Sequence, residues 1–327
     1  MITATHTSMG TRITSMTSKR QHRIPLGTSL LKGEVGSRTP RVGGCAGNPN
    51  SAGNSVPPHP TPIAVGEREN AAARPELAAA RREFATHPAQ DAGCDRAGGV
   101  TVSHSSLYRL LAWLSPAYPV GAFSYSSGLE WAVEAGDIQN AETLFAWLAV
   151  MIGEGSGFCD AVLFVHAYRA VAAGDEQALR SVVELAAAFA ASKERHLETT
   201  AQGAAFLDVT RAAWPCAALE RLIEIWPGPY AYPVAVATAA AGHCVAVEPA
   251  LAAYLQAITA NLVSAAVRLV PLGQTDGQRV IAATETLIVE TARRAMVTSL
   301  EEMGSAAFRA DIASQRHETQ YTRLFRS

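Results

Sequence analysis

The chain has 327 residues, 48% hydrophobic and 17% charged, the balance of a globular protein rather than of a disordered one. Its formal net charge of −2 hides two regimes, +5 over residues 1–100 and −7 over the remainder, and an acidic part without a basic face argues against nucleic acid as a partner. The five cysteines, Cys45, Cys94, Cys159, Cys216 and Cys244, are odd in number and lack CxxC spacing, which excludes a disulfide framework or structural zinc site and points to a reducing, cytoplasmic compartment.

Residues 1–104 read as a low-complexity extension. Runs such as "GGCAGNPNSAGNSVPPHPTP" cannot bury enough apolar surface to offset a backbone entropy of roughly 1 to 2 kcal/mol per residue, so disorder is expected. The segment has neither an apolar core of a secretory signal nor the amphipathic arginine pattern of a transit peptide. A translation start near Val100 or Val102 is the alternative account of it.

From residue 105 to the end nearly every segment repeats with a helical period. Leu107, Leu110, Leu111 and Leu114 form a stripe that Pro116 stops, and Ser127 with Glu130 has the spacing of a capping box that opens a helix ending near Gly136. Leu144, Trp147, Leu148, Met151 and Ile152 follow the spacing of one buried helix face. Further helices are predicted over Phe158–Ala173, Glu176–Ala190 behind an Asp175 cap, Ser192–Trp214, Pro233–His243, Pro249–Val270 and Asp276–Met303. The fold class is all-α, a bundle of eight to ten helices. "PALAAYLQAITANLVSAAVRLVP" is long and apolar enough to suggest a membrane span, but Gln256, Asn261, Ser264 and Arg268 contradict that, and a fully enclosed central helix is expected.

The stretch "SPAYPVGAFSYSSGLEWA", Ser115 to Ala132, connects two helices through about eleven residues, longer than the 2 to 8 usual for bundles. It strongly resembles the opening motif of the urease accessory protein F (UreF) family. "AYLQAITANLVSAAVRLVPLGQTDGQR" and the terminal "RHETQYTRLFRS" are similar to that family too, as is "ASKERHLETTAQGAAFL" less closely, in the right order over about residues 105–327. The resemblance implies an all-helical, dimeric adaptor without catalysis or cofactor of its own. Such proteins bind the accessory protein UreD or UreH, recruit the GTPase UreG, and so support nickel delivery to the urease apoprotein. A helical enzyme or small-ligand carrier with an undisclosed pocket is the competing class.

The residues themselves carry few chemical signals. Gly153, Gly155 and Gly157 in "GEGSGF" lack the GKS or GKT and the preceding strand of a phosphate loop. No HExxH or GxSxG occurs, and His243 beside Cys244 cannot face one side of a helix, so no metal or catalytic residue is assigned. His317, beside Glu318 in a polar tail, is the histidine best placed for a transient nickel contact.

Two segments are candidate partner contacts. In the tail, Arg316, His317, Glu318, Tyr321, Arg323, Leu324 and Phe325 interleave arginines with aromatic and aliphatic anchors, the composition that interfaces enrich. The tail is expected to be a docking element, with folding back on its own bundle as the alternative. By family resemblance, Gln274, Asp276 and Arg279 are added, in a turn where Thr275 and Gln278 have the spacing of a second capping box.

Overall fold

The structure is a computed structural model and describes residues 102–326; the expectations for the extension up to residue 101 fall outside them. Among the described residues the chain forms twelve α-helical segments, one short 3-10 turn and no strand. Two pairs of these segments are each separated by a single residue, Gly155 or Thr284.

Helix α1 (His104–Trp113) begins where the Ser103 hydroxyl accepts from the Ser106 amide. Its buried face is Ser106, Leu110 and Trp113, spaced i, i+4 and i+7, while Leu107 and Leu111 of the predicted stripe lie about 100° round the helix and are exposed. The connection that follows holds the 3-10 turn Ala122–Ser124, then α2 (Leu129–Glu134), which Gly136 ends with φ +80°. Next come α3 (Ala141–Glu154), capped by Asn140 and Thr143, and α4 (Ser156–Ala173), ended by left-handed Gly174. The intervening glycines are packing positions: a Cβ on Gly155 would lie 2.7 Å from the Ala307 Cβ.

Asp175 accepts from the Ala178 amide and opens α5 (Glu176–Ala188), as its sequence position predicts. Ser192 does the same for α6 (Lys193–Ala213), and α7 (Ala217–Ile225) follows, a short helix that the periodicity does not reveal. Helix α8 (Tyr232–Gly242) has proline in its first turn and is buried from Tyr232 through Ala240. It is flanked by α4, α6, α7 and α9 (Val247–Leu269).

The enclosed helix is therefore α8 and not the longer α9, of which only about half is buried. Alanine decides this. The α8 sequence carries five alanines and no side chain that must reach water, so helices can approach it from every side. The rod of α3 and α4 and the helix α9 are each long and apolar enough to cross a membrane by length and composition, and 72% of the former's most apolar window is buried inside the protein.

The single helix predicted over Asp276–Met303 is two, α10 (Gln274–Ala283) and α11 (Glu285–Ala295), broken at buried Thr284. The Thr284 hydroxyl donates back to the Ile281 carbonyl at 2.7 Å, a local bond that competes with the helical ladder. Helix α12 (Phe308–His317) was hidden in sequence by its polar composition, and the segment after it, residues 318–326, is neither helix nor strand.

A candidate partner-binding surface over a polar seam

The opening connection is tied down on α9 by the polar residues that argued against a membrane span. Asn261 Nδ2 donates to the Ala122 carbonyl at 3.0 Å, and Arg268 Nη2 donates to the Phe123 carbonyl at 3.1 Å. The Arg268 guanidinium also lies over two rings, Phe123 at 3.7 Å and Phe325 at 4.3 Å, so it joins the connection to the chain terminus. Tyr118 and Tyr125 of the connection are buried, and Phe123 is exposed. The Tyr118 hydroxyl bonds Thr210 Oγ1 at 2.8 Å, and burial pushes its titration up from the usual value.

The predicted capping box at Ser127 and Glu130 does not form. Gly128, with φ +80°, is the N-cap of α2 and makes no side-chain cap; a Cβ there would lie 2.5 Å from the Ser314 amide nitrogen. Both box residues are drawn into tertiary bonds instead, because α12 packs directly on α2. Ser127, itself at φ +52°, donates to Glu198 at 3.0 Å. Glu130 accepts from the Leu324 amide at 2.7 Å, the Phe325 amide at 2.9 Å and His317 Nε2 at 3.1 Å.

His317 is fully buried, and its Nδ1 lies 2.6 Å from Glu194 Oε2, so both ring nitrogens lie against carboxyl groups. Arg323 completes the group with a 2.7 Å bond to the other oxygen of Glu194. His317 is therefore a packed histidine, its imidazole sealed and both nitrogens engaged, and not a free ligand for a transient nickel contact. The alternative drawn for the tail is the one observed. Glu318 accepts from the Lys193 amide at 2.9 Å and caps α6, Phe325 is 4% exposed, and the Arg326 amide donates to the Ser124 carbonyl at 2.8 Å.

Of the seven tail candidates, then, His317 and Phe325 are buried and Glu318 is half-buried, whereas Arg316, Tyr321, Arg323 and Leu324 are exposed. The outward face beside Phe123 and Arg268 therefore presents aromatic, aliphatic and guanidinium groups from two distant stretches of chain. Gln274, Asp276 and Arg279 lie elsewhere, in the first two turns of α10, which packs on α3, α9 and α11. The cap there is Asp276 accepting from the Gly273 amide at 3.4 Å, not Thr275 with Gln278, and Arg279 pairs with Asp276 at 2.8 Å in the open.

Beneath this surface lies a second polar group that sequence reasoning missed. Arg195 pairs with Glu198 at 3.0 Å and with Asp160 at 3.4 Å, and the Tyr254 hydroxyl donates to Asp160 at 3.1 Å. Burial pushes the Asp160 carboxyl up, opposed by the neighbouring Arg195 cation. Asp160, Arg195 and Glu198 line a cavity of about 230 Å³ together with Ser127, Gln202 and Asn261. The one sequence signal was charge on the inner face of α6, where Glu194 and Glu198 stand four residues apart with Arg195 between them. Among the described residues no group of three or more His, Cys, Asp or Glu is placed to hold a metal ion. Burial pushes the Cys159 thiol up to about 12, which makes it inert as a nucleophile.

Among the described residues the geometry defines an all-helical protein whose exposed aromatic, aliphatic and guanidinium groups sit on a buried hydrogen-bonded frame. The sequence profile of the UreF family matches residues 138–285. The chain is 58% identical over 223 residues to the urease accessory protein UreF of Rhodopseudomonas palustris strain BisB18 and to that of Bradyrhizobium diazoefficiens, and 60% identical to that of R. palustris strain BisB5. Each match covers 68% of this chain and 92% of the relative. The chain belongs to the UreF family of urease accessory proteins.

Proposed function

We propose that the protein is a non-catalytic adaptor in urease maturation, which assembles with a UreD/UreH-type accessory protein and recruits a UreG-type GTPase for nickel insertion into the urease apoprotein. A cytoplasmic location and a homodimeric state accompany this reading. The observation that carries it is the identity of about 58% across nearly the whole length of relatives named urease accessory proteins. The exposed groups beside the opening connection supply a surface of suitable chemistry. Tyr321 is wholly exposed and Leu324 63% exposed at the edge of a buried frame, next to Phe123 on its Arg268 stack. Large apolar groups held out of the core by an ordered segment gain from being covered by a partner.

Co-expression tests the reading. Tyr321→Ala with Leu324→Ala should reduce co-purification with the UreD/UreH-type protein more than tenfold and leave urease without nickel, with an unchanged circular dichroism spectrum, because neither side chain is in the core. Undiminished co-purification would move the interface to another face of the bundle.

A further inference from the structure

We propose that the cavity between the opening connection, α4, α6 and α9 is a binding site for a small organic ammonium ion. The charged head lies at Gln202 and Tyr232, and the apolar body lies against Ile152, Ile258 and Leu262.

The inner end of the cavity holds hydrogen-bonding groups that the fold leaves unused. Tyr232, the first residue of α8, is 8% exposed, and its hydroxyl has no partner among the described residues. Gln202 of α6 is 6% exposed; its amide nitrogen donates to Glu198 at 3.4 Å, and its oxygen has no partner among the described residues. Buried polar groups are ordinarily paired, so two unpaired ones lining one cavity mark where the polar atoms of a ligand belong. Neither is there by looseness of packing. The Tyr232 amide donates to Thr199 Oγ1 at 3.1 Å, and its ring packs on those of Phe206 and Tyr254 at 5.9 and 5.5 Å.

The charge of the ligand follows from the neighbours. Asp160 and Glu198 line the cavity with one cation, Arg195, which already pairs with both. With Asp160 ionised the three groups sum to −1, and with it protonated to zero, so no state of the site favours an anion. The Gln202 oxygen only accepts, and a ligand that meets it must donate, as an ammonium group does. A bare metal ion suits the other end poorly, because Ile152, Ile258 and Leu262 offer it only hydrocarbon. An apolar body gains there what it loses in water. The volume of about 230 Å³ exceeds the roughly 150 Å³ that accommodates benzene, so the body is one ring or a chain of similar size. Entry is from the outer end, where the lining residues Pro116, Phe123, Gln256 and Ser264 are exposed.

The site lies inside the bundle and is independent of which partner the outer face meets. Calorimetric titration of the full chain with benzylammonium chloride tests it. Benzylammonium should saturate one site and bind at least tenfold more tightly than benzyl alcohol, which lacks the charge, and than methylammonium, which lacks the apolar body; benzoate should not bind. Tyr232→Phe removes only the unpaired hydroxyl. It should weaken benzylammonium at least fivefold while the melting temperature stays the same or rises, since nothing in the free protein depends on that group. Gln202→Leu should weaken it similarly. Absence of saturable binding up to about 10 mM benzylammonium would overturn the proposal and leave the cavity to water. Equal binding of benzyl alcohol, or unchanged affinity in both variants, would overturn it too. The probe series needs the wild type alone, so it decides the matter even where a variant fails to fold.

Discussion

Helix α8 is shut off from water, whereas the seam formed by Ser127, Glu130, Asp160, Glu194, Arg195, Glu198 and His317 is buried to half-buried and partly faces a cavity, and the two are held by opposite means. Around α8 the contacts are alanine, valine and ring edges, including Phe206 with Tyr232 at 5.9 Å and with Trp113 at 6.2 Å. Such burial is non-directional; any apolar shape of the right volume serves. In the seam nearly every contact has a fixed donor and acceptor, so each group depends on the position of another that is distant in sequence. The apolar region supplies stability, and the seam fixes where the opening connection and the terminus sit relative to each other. The surface proposed to meet partners is built on the seam.

The difference can be probed from its strongest element downward. Phe206→Ala removes a ring enclosed by Trp113, Tyr118 and Tyr232 and should lower the unfolding free energy by about 3 to 5 kcal/mol in denaturant titration. Arg195→Met should cost about 3 kcal/mol by leaving Asp160 and Glu198 without their cation. Adding Asp160→Asn and Glu198→Gln to it should recover most of that loss, because no buried charge is then unpaired. Failure of the triple variant to recover would show that the seam contributes stability as the apolar region does.

Asp160→Asn alone sharpens the comparison through pH. Burial raises the carboxyl above its unfolded value, so between those two values the folded chain binds more protons than the unfolded one, and wild-type stability falls as pH rises. The asparagine variant lacks this dependence. Its melting temperature relative to wild type should therefore climb as pH rises from the ordinary carboxylate value through the elevated one. A difference that is flat in pH would mean that Asp160 is already ionised throughout.

The smallest effect is expected at Arg279→Ala. Its pair with Asp276 is exposed on both sides, and such surface pairs contribute about 0.5 kcal/mol or less. A melting shift within about 2 °C checks this, and a loss of partner binding at unchanged stability would instead mark α10 as a second contact.

By itself the sequence determined the helical class, the cap at Asp175, the glycine stop at Gly136, and the buried face of α3, because each depends on residues within a turn or two of one another. The family resemblance was legible in the same way, in contiguous motifs. Tertiary structure alone decided which helix is central, since α8 and α9 are both apolar and only their neighbours differ. It alone turned Ser127 and Glu130 from a cap into members of the seam, and His317 and Phe325 from exposed contacts into buried ones. The reason is the range of the bonds. Glu130 meets its partners 187 to 195 residues along the chain and Glu194 meets His317 123 residues away, so no local pattern could announce pairings made by folding.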